Sequence, residues 1–461
     1  MELHKNKGRK TGQVFVAIMV FIATTVILWS AWEETKPMLL VCRPDSKVSR
    51  LKWYFGDWEQ KAMWAASEQG QKGLHENAME VSSNVDSSLV QNSSDVKPST
   101  TSETSGGKCD FTRGNWIVDA QNRPLYDGTK CKRYLSAMWA CREMNRPDFE
   151  FEKLRWQPDG CDLPTFSSHG FLERMENKAI AFVGDSLGRQ QFQSLMCMLT
   201  DGEGQAEDVE DTAADWGLSP VPGTLRGRGN AHTFKRTNTT VIFYWSASLG
   251  FVEFNRSGEQ EGWSALHIDQ PDEFLRDEIQ KLDLLILNSG HHWNRGKFTN
   301  NKWHMYVDGM PIPDGHKLGS IPEAYNYSMH KQIEYLDAKL GETGGKPTVF
   351  MRTLSPRHFK NGDWNTGGSC DNTQAQVDTN VTYKGPETAM VMNNAVRASK
   401  RIHLLNIIPL SRTREEGHIS KYGRNSDHQD CLHWCLPGVP DTWNELLYGY
   451  LATDSSLAAL S

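Results

Sequence analysis

The chain has 461 residues, with 50 Lys and Arg against 57 Asp and Glu and a formal net charge of −7. That acidic balance, without long basic runs, argues against nucleic acid as a partner. About 350 residues follow Cys109, long for one simple domain and suited to an α/β core with insertions.

Residues 1–13 read as a cytoplasmic tail. Val14 to Trp32 carries no charge over nineteen residues and is long enough to cross a bilayer, with Trp29 and Trp32 as interfacial anchors. A cleaved signal peptide is the competing reading; it needs a shorter apolar core and a small-residue cleavage site, and neither is evident. Lys5, Lys7, Arg9 and Lys10 precede the run and Glu33 and Glu34 follow it, so a single-pass type II signal-anchor is predicted, with the bulk of the chain lumenal. Residues 33–108 then form a lumenal stem. From about Ser46 this stem is rich in Ser, Glu, Gln, Asn, Asp and Lys, the composition of a mostly disordered segment. Its patch LKWYFGDWEQKAMW at 51–64 reads equally as a short helix or a membrane-surface contact.

Residues 109–170 combine cysteines with many aromatics and no clear periodicity, and read as a disulfide-tied N-terminal subdomain. Cys109, Cys131, Cys141, Cys161, Cys197, Cys370, Cys431 and Cys435 make an even set, which in an oxidising lumen predicts four disulfides, with 105 pairings open. Cys42 is left over, either free or paired between chains. Asn92, Asn238, Asn255, Asn326 and Asn380 each begin an N-x-Ser/Thr sequon and are candidate N-glycosylation sites in the secretory pathway.

Residues 171–450 alternate short apolar runs with helical patterns. The runs are 179–183, Val241 to Trp245, Leu284 to Asn288, Thr348 to Thr353 and Ile402 to Ile408; the helices are Leu187 to Leu199, Ala324 to Leu340 and Glu387 to Lys400. This alternation predicts an α/β fold with a mainly parallel sheet flanked by helices and catalytic groups at the carboxyl ends of strands. Residues 451–461 read as a flexible tail.

The chemistry concentrates at AIAFVGDSLGRQQFQSLMCML and, about 245 residues later, at DHQDCLHWCLPGVPDTW. Ser186 falls between a buried strand and a helix, with Gly184 expected to permit a sharp turn. The unpaired N–H groups and positive end of the helix favour an oxyanion there, although the same position suits a plain N-cap serine. A serine hydroxyl needs a base, and the base needs a partner that fixes its tautomer. Asp430 and His433, three apart, can lie on one face of a helical turn and supply both.

This arrangement resembles the SGNH (GDSL-type) superfamily, and more narrowly the plant trichome birefringence-like family of wall polysaccharide O-acetyltransferases. The resemblance runs from Cys109 to Tyr448 through CDFTRGNW, RPDFEFEKLRWQPDGCDLP, FVGDSLGRQQ, RTLSPRHFKNGDWNTGGSC and DCLHWCLPGVPDTWNELL. It implies an SGNH-like acetyltransferase domain on the Golgi membrane, catalytic domain in the lumen, moving acetyl groups to a glycan hydroxyl, xylan first. Ser186, Asp430 and His433 are the implied triad. A neutral or weakly acidic polysaccharide acceptor agrees with the net charge. No bound cofactor is expected. The acetyl donor is acetyl-CoA or another acetyl carrier, and the sequence has no Gly-rich nucleotide loop that would choose between them. An acetyl esterase and a non-catalytic polysaccharide-binding protein are the alternatives.

Further candidates surround the triad. Arg189 lies three residues after the nucleophile and can reach the oxyanion or the donor carbonyl. In LNSGHHW at 287–293, Asn288 or an N–H near Gly290 is a further oxyanion donor, and His291 and Trp293 are groove-lining candidates. Trp303, Trp364 and Trp434 join Trp293 as indole platforms for sugar C–H faces. Asp430, Cys431, His433 and Cys435 are all zinc-ligand types, but their spacing matches no common zinc module and lumenal thiols are usually oxidised, so no metal is expected.

Overall fold

The structure is a computed structural model and describes residues 109–200, 208–218, 228–254, 263–364, 366–374, 388–423 and 428–453. The expected tail, transmembrane run and stem, together with Cys42, Asn92, Asn255 and Asn380, lie outside these residues. Among the described residues no helix is long and apolar enough to cross a membrane.

Fifteen strands follow in chain order: β1 Gly114–Val118, β2 Leu154–Pro158, β3 Ala179–Gly184, β4 Val209–Asp211, β5 Gly229–Phe234, β6 Thr239–Trp245, β7 Gly250–Phe254, β8 Ser264–Pro271, β9 Leu284–Leu287, β10 Trp303–Val307, β11 Met310–Pro311, β12 Thr348–Arg352, β13 Ile402–Leu405, β14 His418–Ser420 and β15 Asp430–Trp434. The helices are α1 Ser168–Arg174, α2 Ser186–Thr200, α3 Glu273–Glu278, α4 Arg295–Asn300, α5 Ile321–Glu342, α6 Thr388–Arg397, α7 Ile408–Ser411 and α8 Val439–Thr453. The tail expected from residue 451 therefore begins inside a helix, because Leu451 is buried against the core.

The main sheet has the order β13-β12-β9-β3-β6-β5-β4. Its strands are parallel from β13 to β6 and antiparallel from β6 to β4. The five parallel strands are the five apolar runs of the sequence, as expected where both faces of a strand are covered. All six residues of β3 are buried. Ile180 and Phe182 pack into one core and Ala181 and Val183 into the other, as the period of two requires. A second sheet, β11-β10-β8-β7, and two antiparallel pairs, β1-β2 and β14-β15, complete the strands.

Residues 109–162 share a core with the main sheet. Phe111, Trp116, Trp139, Phe151 and Trp156 are buried in the same cluster as Phe182, Phe192 and Trp434. Each such side chain contributes about 1.5–3 kcal/mol of burial, so together they hold the segment at least as firmly as its disulfides. Those pair Cys109 with Cys161, Cys131 with Cys197, and Cys141 with Cys435; the fourth joins Cys370 to Cys431.

Candidate active site

Ser186 opens α2 directly beyond the carboxyl end of β3. Gly184 is required there for space and not for the turn, because its φ is not in the left-handed region. A Cβ on Gly184 would sit 2.0 Å from Oδ1 of Asn288, and one on Gly188 2.2 Å from the same atom. Both glycines admit the Asn288 amide beside the start of the helix.

The Ser186 hydroxyl donates to Nε2 of His433 at 2.7 Å, and Nδ1–H of His433 donates to Oδ2 of Asp430 at 2.8 Å. Asp430 and His433 do not lie on a helical turn as their spacing suggested. They belong to β15, where Oδ1 of Asp430 accepts the backbone N–H of Leu432 at 3.1 Å and of His433 at 2.9 Å. The same carboxylate therefore grips the backbone of the segment with one oxygen and the His433 ring with the other. Burial disfavours charge at both groups. At His433 it is outweighed by the Asp430 charge and hydrogen bond, so the imidazole stands above its ordinary 6.5. At Asp430, His433 and the backbone N–H donors outweigh burial and hold the carboxyl far below its usual range.

Several contacts hold β15 against α2. Gln190, fully buried on α2, donates from Nε2 to the Trp434 carbonyl at 2.7 Å and accepts the Trp434 N–H on Oε1 at 3.2 Å. The indole of Trp139 stacks on the His433 ring with centroids 6.0 Å apart. Cys431 and Cys435 bracket His433 and are bound to Cys370 and Cys141. Neither offers a thiolate to a metal.

Two buried charged groups beneath the site lie within the family motifs but were given no role by the sequence. Asp185 accepts the Leu187 N–H at 3.0 Å and an Asn288 Nδ2–H at 2.6 Å on the same Oδ1. Burial pushes its carboxyl up, and His291, His292, Arg352 and the Asn288 bond bring it below its ordinary value. Arg352, at the end of β12, donates to the Leu187 carbonyl at 3.0 Å and lies over the Trp443 ring at 4.6 Å. Burial brings its guanidinium down to about 10, with Asp185 opposing.

The remaining candidates fall in different places. Arg189 sits between two indoles, 5.2 Å from the Trp139 ring and 5.4 Å from that of Trp245. Asn288 lies against the first turn of α2 with one amide N–H on Asp185. Gly290 has φ 132° and could not carry a Cβ, which would meet Leu354 at 2.7 Å. His291 donates Nε2–H to the Ser355 carbonyl at 3.0 Å, and burial brings its imidazole down to about 4 against the pull of Asp185. Trp293 does not line a groove: it is 4% exposed, packed on Phe298 and Tyr325, with its indole N–H on Ser289. Trp434 is likewise no platform, being fully buried and stacked on His418 at 3.8 Å. Trp303 is half-buried against Phe298, and Trp364 is 44% exposed. Asn238 is exposed in a turn and Asn326 is exposed on α5.

Residues 163–450 match the family described as a GDSL/SGNH-like acyl-esterase family found in Pmr5 and Cas1p, and residues 107–162 match the PMR5 N-terminal domain. The chain is 46% identical over 362 residues to protein trichome birefringence-like 14 of Arabidopsis thaliana, covering 76% of this chain and 88% of that relative. It is 41% identical over 354 residues to trichome birefringence-like 15 of the same plant, covering 74% and 70%. With trichome birefringence-like 9, also from Arabidopsis thaliana, identity is 34% over 373 residues, covering 77% and 86%.

Proposed function

This chain belongs to the trichome birefringence-like family, and from that premise we propose that it is an O-acetyltransferase acting on hydroxyls of a plant cell-wall polysaccharide, with xylan the leading acceptor. The observation that carries the proposal is the unbroken line Ser186 Oγ, His433, Asp430, with contacts of 2.7 and 2.8 Å.

In the first half-reaction His433 takes the Ser186 proton while Oγ attacks the donor's acetyl carbon. The tetrahedral oxyanion forms at the amino end of α2, whose dipole favours it. Asn288 spends one amide N–H on Asp185, and an amide has a second, which this reading directs at the oxyanion. The donor's leaving group departs with the proton from His433 and acetyl-Ser186 remains. In the second half-reaction His433 takes a proton from a sugar hydroxyl, the sugar oxygen attacks the acetyl carbon, the bond from that carbon to Oγ breaks, and Ser186 leaves with the proton returned by His433. Asp430 holds the imidazole in the Nδ1–H tautomer throughout and stabilises its charged form.

Water in place of the sugar would give free acetate with the same groups, so the acceptor decides between transferase and esterase. The acetyl donor is acetyl-CoA or another carrier, and the setting proposed is the Golgi lumen behind a type II anchor, with the catalytic domain over residues 171–450. Purified protein given an acetyl donor and xylo-oligosaccharides is expected to yield acetylated oligosaccharides by mass spectrometry, and Ser186→Ala none. An active Ser186→Ala would sink the mechanism. Acetate as the only product would establish the esterase, and glycan binding without turnover the binding protein.

A further inference from the structure

Two histidines outside the triad make a continuous chain of contacts that ends on the catalytic histidine. His358, in the loop after β12, has Nε2 at 2.8 Å from the Arg412 carbonyl and Nδ1 at 2.7 Å from Nε2 of His418. His418, the first residue of β14, has Nδ1 at 3.0 Å from the carbonyl of His433. Both ends of this chain are carbonyl oxygens, which only accept, so each outer nitrogen carries a hydrogen. Two neutral imidazoles have two N–H groups between them, and the outer contacts use both. The middle contact would then set two lone pairs against each other at 2.7 Å. A bridging metal does not resolve this, because two imidazole bonds of about 2.0–2.1 Å at a tetrahedral angle put the nitrogens about 3.3 Å apart, well beyond the contact seen here. A third proton does.

We propose that His358 and His418 share one proton, forming a singly charged pair that positions His433. Burial opposes the charge, pushing His358 alone down to about 4 and His418 well below its ordinary value. The groups around the pair divide. Asp430 on β15 favours the proton, while His433 on β15 and Lys360 on the loop of His358 oppose it. Lys360 is itself paired with Glu415, and Arg414 with Glu416. Arg146 from the N-terminal segment donates to the His418 carbonyl at 2.7 Å. The Trp434 indole lies flat on the His418 ring at 3.8 Å and 24°, an arrangement that favours an imidazolium. The strength of the N–H–N bond between two matched bases adds to these.

The pair ties three separate pieces to β15: the loop after β12, the segment after α7 and the strand β14. The loop is also held by the His358 backbone N–H on the Cys431 carbonyl at 3.0 Å. Without the shared proton the middle link becomes repulsive and the grip on the His433 carbonyl is lost. His358 and His418 touch no reacting atom, so they are positioning residues. Their effect on turnover rests on the acyl-transfer reading; the shared proton does not.

The test is proton NMR of the full chain labelled with 15N-histidine, together with kinetics. Wild type and Ser186→Ala are expected to show, besides the His433 Nδ1–H, one strongly downfield proton coupled to two histidine nitrogens within about pH 5–8; His358→Phe should lack it and keep the His433 proton. His358→Phe is expected to lower kcat up to about a hundredfold with KM little changed, and His358→Lys, which restores a charge and a donor toward His418, to recover little because it cannot share a proton symmetrically. Absence of the doubly coupled proton in folded wild type across that range overturns the pair, whether or not any variant folds. An enzyme that transfers acetyl without that resonance keeps its proposed function and loses this one; a protein that shows the resonance and transfers nothing does the reverse.

Discussion

His433 must be neutral to accept the Ser186 proton, and its environment decides the pH at which it is. Burial lowers its basicity, but Asp430 raises it by more, so kcat/KM is expected to climb with pH through an ionisation above the ordinary 6.5. Asp430→Asn removes the charge while nearly keeping the shape. The ionisation should then move to lower pH, and kcat should fall by about 10³–10⁴ as the tautomer is lost. A pH–rate profile of the two proteins checks both signs, and an unmoved ionisation would separate Asp430 from the base. Some of this site was legible residue by residue, since Ser186, Asp430 and His433 bring the right chemical types. The roles of Asp185 and Arg352 were not, although both fall in the family motifs, because what a buried charge does depends on partners far away in the chain.

α2 and β15 meet through Gln190, whose amide pairs with both main-chain groups of Trp434. Gln190→Leu would leave a buried N–H and a buried carbonyl unpaired, at about 1–3 kcal/mol each. Denaturant unfolding should report that loss, and kcat should fall more than KM rises, because the change acts on the distance between Ser186 and His433. The disulfides separate in the same way. Replacing Cys141 and Cys435 by Ser should cost about 2–5 kcal/mol and also reduce kcat, since Cys435 lies two residues from His433. Replacing Cys109 and Cys161 should lower the melting temperature with kcat retained. Equal kcat losses from both pairs would show that the bracket around His433 has no special part. The Asp-x-x-His spacing pointed to a helical turn; pairing with β14 made it a strand.

Across the whole molecule, buried groups push the response to acid in opposite directions, and the neutral histidines among them weaken the fold. His232 and His291 are both brought down to about 4, by burial first. Between about 6.5 and 4 the unfolded chain binds protons at these sites and the folded one does not, so stability falls as pH drops through that window. Burial pushes the Asp441 carboxyl up to about 7, which works in the opposite direction over the same range; against that background, melting temperature should fall less steeply from pH 7 to 4 in His232→Gln than in wild type, and identical slopes would count against the His232 assignment. The main sheet was legible at this scale because strands buried on both faces read as apolar runs and helices between them repeat at their own period. β7, β8, β10 and β11 were not, since a sheet built around chain reversals leaves a weaker pattern. By itself the sequence determined the α/β class, the parallel strands, the nucleophile's strand-to-helix setting and the residue types of an acyl-transfer triad, all of which depend on local periodicity and chemical identity. Only the tertiary structure decided which cysteines pair, that Trp293 and Trp434 are core, that Gly184 and Gly188 make room for an amide, and that His418 stands against His433 with His358 behind it. Each of these depends on groups far apart in the chain meeting within a few ångströms, a distance that neither composition nor spacing encodes.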